Sequence, residues 1–250
     1  MKILHLYHDI MNLYGEYANV SAMQRMLGKN EVSYEMDKLS VNDKLSLMDY
    51  DFIYVGSGTE SNQKYILEHL RLYKEELKAY LESGKMLLMT GNSFEILGKN
   101  LKDAKGKVYE GLAFFDFEVT EQERTRNTAD AVFQLVEQKR ISSDKDFGKE
   151  NRNRELVGFI NKCSTIEGIE TPLFQVKMGL GNENKGTTEG IRYKNFFGTH
   201  LTGPILIKNP YFLIQIAGDL CGKEMNGDYL TYEKAGYEIT LRELTKRMEG

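Results

Sequence analysis

The sequence predicts an α/β fold of three layers, with helices on both faces of a central, mostly parallel sheet and with added antiparallel strands. In the first half, short apolar runs alternate with longer segments of helical periodicity, which is the pattern of βαβ units. Glycine-containing loops follow two of the apolar runs, where such sheets carry their functional loops. The 250 residues can bury a sizeable core, and we expect one domain over residues 1–250.

The first half can be assigned element by element. Residues 2–7 form a short apolar strand, and residues 13–30 have apolar positions at helical spacing before a Gly-Lys-Asn stop. Further strands are predicted at 32–40, 50–58 and 86–90. A long amphipathic helix is predicted over 64–85, because its apolar positions keep one helical face up to a terminal glycine.

The second half predicts shorter, partly antiparallel strands that extend the sheet. The runs concerned are aromatic or β-branched and are separated by glycine and polar turns; they lie at 111–122, 128–138, 154–161 and 189–200. Residues 139–153 are charged and almost free of apolar side chains, which predicts an exposed loop. The tail, 211–247, predicts one or two helices around a Gly-Asp-Tyr turn.

Composition excludes several classes of function. The net charge is −4 with both signs interspersed, so we expect neither nucleic acid nor an anionic membrane as a partner. No apolar run approaches the ~18 residues of a membrane span, and the first residues lack a signal-peptide apolar core, so we expect a cytoplasmic protein. Cys163 and Cys221 have no CxxC spacing and predict free thiols rather than a disulfide or zinc site.

Four blocks, in order, carry a resemblance that runs nearly from end to end: HLYHDIMNLYGEYANV, YDFIYVGSGTESNQ, LLMTGNSFEILGK and GTTEGIRYKNFFGTHLTGPILIKNP. They are similar to the opening strand and helix, the oxyanion loop, the nucleophile elbow and the histidine block of the GatD-like, CobB/CobQ-type (cobyric acid synthase-like) class I glutamine amidotransferases. The resemblance implies the flavodoxin-like fold of that class. It also implies a glutaminase component whose ammonia a separate Mur-ligase-like synthetase uses to amidate the D-glutamate of lipid II.

The chain departs from this family at both catalytic positions. Where the family carries the cysteine of a motif close to CGGYQxLG, this chain has Gly91. Where the family carries the histidine of a motif close to GTYLHGP, this chain has Thr202. Attack on a carboxamide needs a thiolate activated by an adjacent base, and neither side chain supplies that chemistry. A glycine at the elbow does, however, relieve the strain of a positive φ.

Three other residues are candidate replacements. Ser93 lies two positions after the elbow tip, where a hydroxyl more often caps a helix or bonds backbone. His200 precedes the lost histidine by two residues, so it points to the same face of a strand and is a candidate base. Cys163 lies in GFINKCST, which resembles the family's GFENHxGRT loop, but the glutamate and histidine of that loop are replaced by Ile160 and Lys162.

Parts of a ligand-binding apparatus remain in the sequence. Gly56, Ser57 and Gly58 can offer backbone N–H groups to a carbonyl oxygen, although the same glycines also suit a tight turn between strand and helix. Asn92 follows the elbow tip and is assigned to the same ligand site. Arg126 aligns with a family arginine that contacts glutamine, and a guanidinium suits an α-carboxylate. No phosphate loop of the form GxxxxGK[ST] occurs, and neither ATP nor a metal is implied as cofactor.

Three functions follow from these features. The first is a catalytically silent amidotransferase-like subunit that forms a heterodimer with a Mur-ligase-like synthetase. The second is an active glutaminase subunit that supplies ammonia through a non-standard nucleophile. The third is a binding module for glutamine or a related small amide, which requires Arg126 and the Gly56–Gly58 loop to converge on one pocket.

Overall fold

The structure is a computed structural model that describes residues 1–123, 126–136, 154–183 and 185–249. Its helices are α1 Tyr17–Lys29, α2 Glu60–Arg71, α3 Lys74–Ser83, α4 Ile205–Lys208, α5 Pro210–Cys221 and α6 Thr231–Glu249. Its strands are β1 Lys2–Leu6, β2 Glu35–Leu39, β3 Phe52–Val55, β4 Met86–Thr90, β5 Asn100–Lys102, β6 Val108–Glu110, β7 Glu118–Glu121, β8 Asn127–Leu135, β9 Glu155–Lys162, β10 Ser164–Glu167, β11 Phe174–Met178, β12 Thr188–Glu189, β13 Ile191–Tyr193, β14 Phe196–Thr199 and β15 Leu201–Thr202. Short 3-10 helices lie at Leu13–Gly15, Leu47–Asp49 and Gly91–Leu97.

A central sheet of six strands, in the order β13-β14-β4-β3-β1-β2, confirms the predicted fold class. Its neighbours pair in parallel except for the antiparallel edge pair β13 and β14. Successive strand residues point to opposite faces, so each buried strand serves two cores. Ile3 and Phe52 lie in one core with residues of α1 and α5, whereas Leu4 and Ile53 lie in the other with residues of α2 and α3.

The antiparallel strands are arranged differently from the prediction. Among the described strands of the second half, β13 and β14 extend the central sheet, with β13 antiparallel to β14. The other strands of this half lie in two separate sheets, β10-β7-β5-β6 and β12-β11-β8-β9-β15. The prediction that the second half extends the central sheet is therefore confirmed for β13 and β14 and wrong for the other strands. The cause lies just after β14: the chain turns at His200, and β15 pairs with β9 through Leu201 opposite Ile160. This turn brings the five-stranded sheet beside the carboxyl end of β4.

Two further differences concern helices. The segment 64–85 forms two helices, α2 and α3, because tightened backbone bonds from Leu72 to His69 and from Tyr73 to Leu70 end the first one. The tail forms two helices, α5 and α6, within the range that was predicted. The loop predicted at 139–153 lies outside the described residues. Within the described part of the chain, no helix is both long and apolar enough to cross a bilayer.

His5, on β1, makes the fold sensitive to acid. Its side chain is 2% exposed, and its Nε2 atom has no hydrogen-bond partner. Burial, followed by the nearby charges of His8 and Lys38, lowers the pKa of His5 to about 4, and Asp9 opposes this only in part. Between an ordinary pKa of about 6.5 and this value, the unfolded chain binds more protons than the folded chain, so stability falls as the pH falls.

We expect the free energy of unfolding to drop by about 2 kcal/mol between pH 7 and pH 5 because of His5 alone. His5→Phe should remove that part of the loss, because a phenyl ring cannot be protonated. This holds whatever the substitution changes in the free energy of unfolding at pH 7. Urea unfolding of both proteins at the two pH values measures the difference. An equal loss in His5→Phe would contradict this assignment.

Candidate functional site

The elbow after β4 has the predicted positive φ, which glycine adopts without strain. Gly91 has φ +63° and begins a 3-10 helix, in place of the α-helix that would be usual there. The space that a side chain would need is already filled, because a Cβ atom on Gly91 would lie 2.3 Å from Ser57 Oγ and 2.4 Å from Ser57 Cβ. Ser57 thus occupies the position from which a nucleophile at residue 91 would project.

Thr202, at the second catalytic position, is turned to a structural use. It lies on β15, is 3% exposed, and its hydroxyl donates to the carbonyl of Phe159 at 2.9 Å. Phe159 is its cross-strand partner on β9, so this bond reinforces the pairing of the two strands. Thr202 does not line the cleft described below.

The buried carboxyl group of Glu16 ties both positions together. It accepts hydrogen bonds from the hydroxyls of Thr90 and Tyr54, the latter at 2.7 Å, and from the backbone N–H of Gly203 at 3.4 Å. Burial raises the pKa of Glu16, although these hydrogen bonds oppose the shift. Since Thr90 precedes Gly91 and Gly203 follows Thr202, one fully buried side chain holds the elbow and the former base loop in place.

A narrow cleft with about 20 Å³ of free volume, room for about one water molecule, opens beside the elbow. It lies between the loop after β3, the elbow and the end of β9. Its lining residues are Tyr14, Ser57, Gly58, Glu60, Asn92, Glu95, Glu121, Arg126, Asn161, Lys162, Cys163, Ser164 and His200. Of the predicted site residues, the structure brings Ser57, Gly58, Asn92, Arg126 and His200 together there. It leaves Gly56, Gly91, Ser93 and Thr202 outside this lining.

The Gly56–Gly58 loop is built for close packing, and its last N–H is already used. A Cβ atom would lie 2.3 Å from the Met11 carbonyl oxygen at Gly56 and 2.2 Å from the Met11 sulfur at Gly58. The backbone N–H of Gly58 points toward the cleft side of the loop and donates to Asn92 Oδ1 at 3.1 Å. The donor that the sequence assigned to a substrate oxygen is therefore paired with a neighbouring side chain.

Arg126 is also paired within the chain. Its guanidinium donates to Glu60 and, at 3.1 Å, to Asn161 Oδ1. Burial alone would raise the pKa of Glu60, but hydrogen bonds from its own backbone N–H and from Cys163, together with Arg126, hold it below its ordinary value. Glu60 is therefore a carboxylate that neutralises Arg126 at the cleft.

Cys163 faces the same carboxylate and is a poor nucleophile. Its thiol donates to Glu60 Oε1 at 3.1 Å. Burial first, and then this hydrogen bond and the charge of Glu60, raise the pKa of Cys163 to about 12. Because the thiolate is the reactive form, the thiol is inert at neutral pH.

His200 lies in the cleft with both ring nitrogens engaged. Its Nε2 is 2.8 Å from Glu95 Oε1, and its Nδ1 is 3.1 Å from Glu189 Oε1. Glu189 also accepts from the His200 backbone N–H at 2.8 Å and from the hydroxyl of Thr199 at 2.6 Å. Two carboxylates thus hold the ring, and neither nitrogen is directed at a nucleophile.

Glu95 and Lys162 are two buried residues that line the cleft and that the sequence analysis did not assign to the site. Glu95, at the glutamine position of the elbow motif, accepts from Gln63 Nε2 at 2.6 Å and from the hydroxyl of Ser164. Lys162 donates to the carbonyls of Gly181 and Asn182, and burial lowers its pKa despite the nearby Glu95 and Glu189. The elbow motif was a usable signal for Glu95, whereas Lys162 depends on contacts between distant segments.

Ser93 does not reach the cleft. Its side chain is fully buried, and its hydroxyl donates to the Thr90 carbonyl at 2.8 Å. This is the backbone bonding that its position in the first turn favours.

Across the described ranges, no group of three or more His, Cys, Asp or Glu side chains is placed to hold a metal ion.

The contact between Gly91 and Ser57 can be measured as stability. Gly91→Ala should destabilise the protein by more than the ~1–3 kcal/mol typical of a strained φ, because its Cβ atom also meets Ser57. Gly84→Ala is the matched control, since Gly84 has φ +75° but no atom within 4 Å of the added Cβ. Urea unfolding should give the larger loss for Gly91→Ala, and Ser57→Gly should recover the excess. Equal losses in the two alanine variants would show that Ser57 does not fill the space.

The sequence is similar to known proteins over most of its length. Residues 2–210 match the model of the CobB/CobQ-like glutamine amidotransferase domain. The chain is 31% identical to the lipid II isoglutaminyl synthase (glutamine-hydrolyzing) subunit GatD of Staphylococcus aureus, over 84% of this chain and 79% of that protein. It is 29% identical to the same subunit of Streptococcus pneumoniae, over 84% of this chain and 76% of that protein.

A solved structure agrees in fold. A glutamine amidotransferase from Thermotoga maritima superposes with a TM-score of 0.53 and 16% identity, covering 99% of this chain and 97% of that one. At this identity the likeness concerns the fold alone. Together with the central sheet, it supports the predicted flavodoxin-like arrangement of the amidotransferase class.

Proposed function

The chain belongs to the CobB/CobQ-like glutamine amidotransferase family, and we propose that within this family it is a subunit that has lost glutamine hydrolysis. It acts as a cytoplasmic partner-binding or regulatory subunit of a Mur-ligase-like synthetase that amidates lipid II. The observation that carries the proposal is the elbow, where Gly91 offers no nucleophile and Ser57 fills the space for one.

The chemistry of the cleft supports this loss. Hydrolysis through a covalent intermediate needs a nucleophile, a base within hydrogen-bond reach and donors for the developing oxyanion. Thr202 cannot take up a proton at neutral pH, and its hydroxyl is bonded to a carbonyl. Cys163 is held as a thiol, and His200 is bonded to two carboxylates. The described residues therefore include no activated pair at the cleft.

The role of a partner-binding subunit rests on what the chain keeps. The family scaffold spans most of the chain, and the GatD relatives are named as subunits of a lipid II isoglutaminyl synthase. A chain that keeps its core and its buried ties while its catalytic side chains are replaced suits binding better than turnover. A Mur-ligase-like synthetase is the partner that the resemblance implies.

An active glutaminase is the second candidate, and one observation favours it. The hydroxyl of Ser57 lies close to the position of the missing thiol and lines the same cleft as His200. Ser57 would be the nucleophile and His200 the base only if His200 left Glu95. This alternative is distinguished from the first by the source of nitrogen that the assembled synthetase can use.

The test combines the purified protein with the Mur-ligase-like synthetase of the same organism. We expect the two to co-elute in gel filtration, and the complex to amidate lipid II with ammonium but not with L-glutamine. The physical reason is that no described side chain at the elbow can attack the carboxamide. Mass spectrometry of the lipid product measures both reactions in one series.

The synthetase alone, supplied with ammonium, is the control for partner activity. Amidation from glutamine that disappears in Ser57→Ala or His200→Gln would overturn the proposal and support the rebuilt active site. Failure to co-elute at micromolar concentrations would overturn the partner-binding role.

A further inference from the structure

Two pairs within the chain use groups that could otherwise bind a ligand in the cleft. The carboxamide of Asn92 accepts from the Gly58 N–H at 3.1 Å, which is a donor that a ligand's carbonyl oxygen could use. The carboxylate of Glu60 accepts from the guanidinium of Arg126, which is a cation that a ligand's carboxylate could use. All four residues line the same cleft.

From these two pairs we infer that the protein carries its own surrogate for a carboxamide amino acid, with Asn92 supplying the amide and Glu60 the carboxylate. Glutamine presents the same two groups at its ends. Asn92 and Glu60 therefore mask the cleft against glutamine, because they occupy the Gly58 N–H and the Arg126 guanidinium that glutamine would bind. This inference deepens the proposed function and rests on it, because it concerns binding at the site whose hydrolysis is lost.

The energetics favour the internal pairs. A ligand must offer its own hydrogen bonds in exchange for existing ones and must also lose its freedom of motion on binding. Asn92 and Glu60 are already held in place. The backbone carbonyl of Asn92 accepts from Gln63 Nε2 at 2.6 Å, and Glu60 is the first residue of α2. A carboxylate in the first turn of a helix is also stabilised by the helix dipole. Glu60 is thus already in place beside Arg126 and does not lose freedom of motion as an incoming carboxylate would.

The sequence offers a direct way to unmask the site. The family motif quoted above has glycine where this chain has Asn92, so a small residue is compatible with the elbow. Asn92→Ala frees the Gly58 N–H, and Glu60→Ala removes the carboxylate partner of Arg126, which keeps its hydrogen bond to Asn161. Neither change touches the buried Glu16 tie or the contact between Gly91 and Ser57.

The experiment measures binding of L-glutamine by calorimetry to the natural chain and to the Asn92→Ala/Glu60→Ala variant. We expect no detectable binding by the natural chain at millimolar ligand. The variant should bind with an affinity at least about tenfold above the weakest that the calorimeter detects. The matched control is Asn100→Ala/Glu68→Ala, because Asn100 bonds Glu118 and Glu68 pairs with Arg71, outside the cleft. The control should behave as the natural chain does.

Amide hydrogen exchange of Gly58 gives a readout that needs no ligand. Exchange at Gly58 should be about tenfold faster in Asn92→Ala than in the natural chain, since its hydrogen bond is removed. If the alanine variant does not fold by circular dichroism, Asn92→Gly with Glu60→Ser replaces it in both measurements, because a serine side chain is too short to reach Arg126.

The inference is overturned if the natural chain binds glutamine as tightly as the variant, if neither protein binds it, or if Gly58 exchange is unchanged. In each case an absence of glutamine-dependent amidation would still support the proposed function. Glutamine-dependent amidation by the natural chain would instead refute the proposed function itself, so the two failures are distinguishable.

Discussion

The buried carboxyl of Glu16 is the interaction on which the geometry of the cleft depends. It joins the start of α1 to β3 through Tyr54, to the elbow through Thr90, and to the loop after β15 through Gly203. Leaving such buried groups unpaired would cost about 1–3 kcal/mol each, so the network resists local change. This network keeps the positive-φ turn of the elbow in place although Gly91 has no side chain to anchor it. The elbow is thus maintained by buried hydrogen bonds that involve neither Gly91 nor the side chain of Thr202.

Around that scaffold, the polar groups of the cleft pair with one another. His200 bonds Glu95 and Glu189, and Arg126 bonds Glu60. Buried polar and charged groups must be paired, and a site that no longer receives a substrate must obtain those partners from its own chain. This internal pairing is what the proposed loss of turnover would require of the cleft.

Periodicity and glycine placement were enough to predict much of this molecule, because they report local backbone geometry. The parallel strands, the helix that follows β1 and the positive φ at Gly91 all follow from residues close in sequence. Contacts between distant segments were not accessible in the same way. Ser57, which fills the space beside Gly91, lies 34 positions before it in the sequence. The separate five-stranded sheet likewise depends on the pairing of β15 with β9. The buried position of Ser93 likewise follows from packing that a single strand pattern does not contain.

The most direct test of the central claim asks whether the cleft holds any activated nucleophile. The full chain, alone and with its synthetase partner, would be incubated with an electrophilic glutamine analogue such as a diazoketone and analysed by intact-mass and peptide mass spectrometry. We expect no adduct, because Ser57 has no base directed at it and Cys163 is held as a thiol with a pKa of about 12. A stoichiometric adduct on Ser57 or Cys163 would contradict it and identify a rebuilt active site.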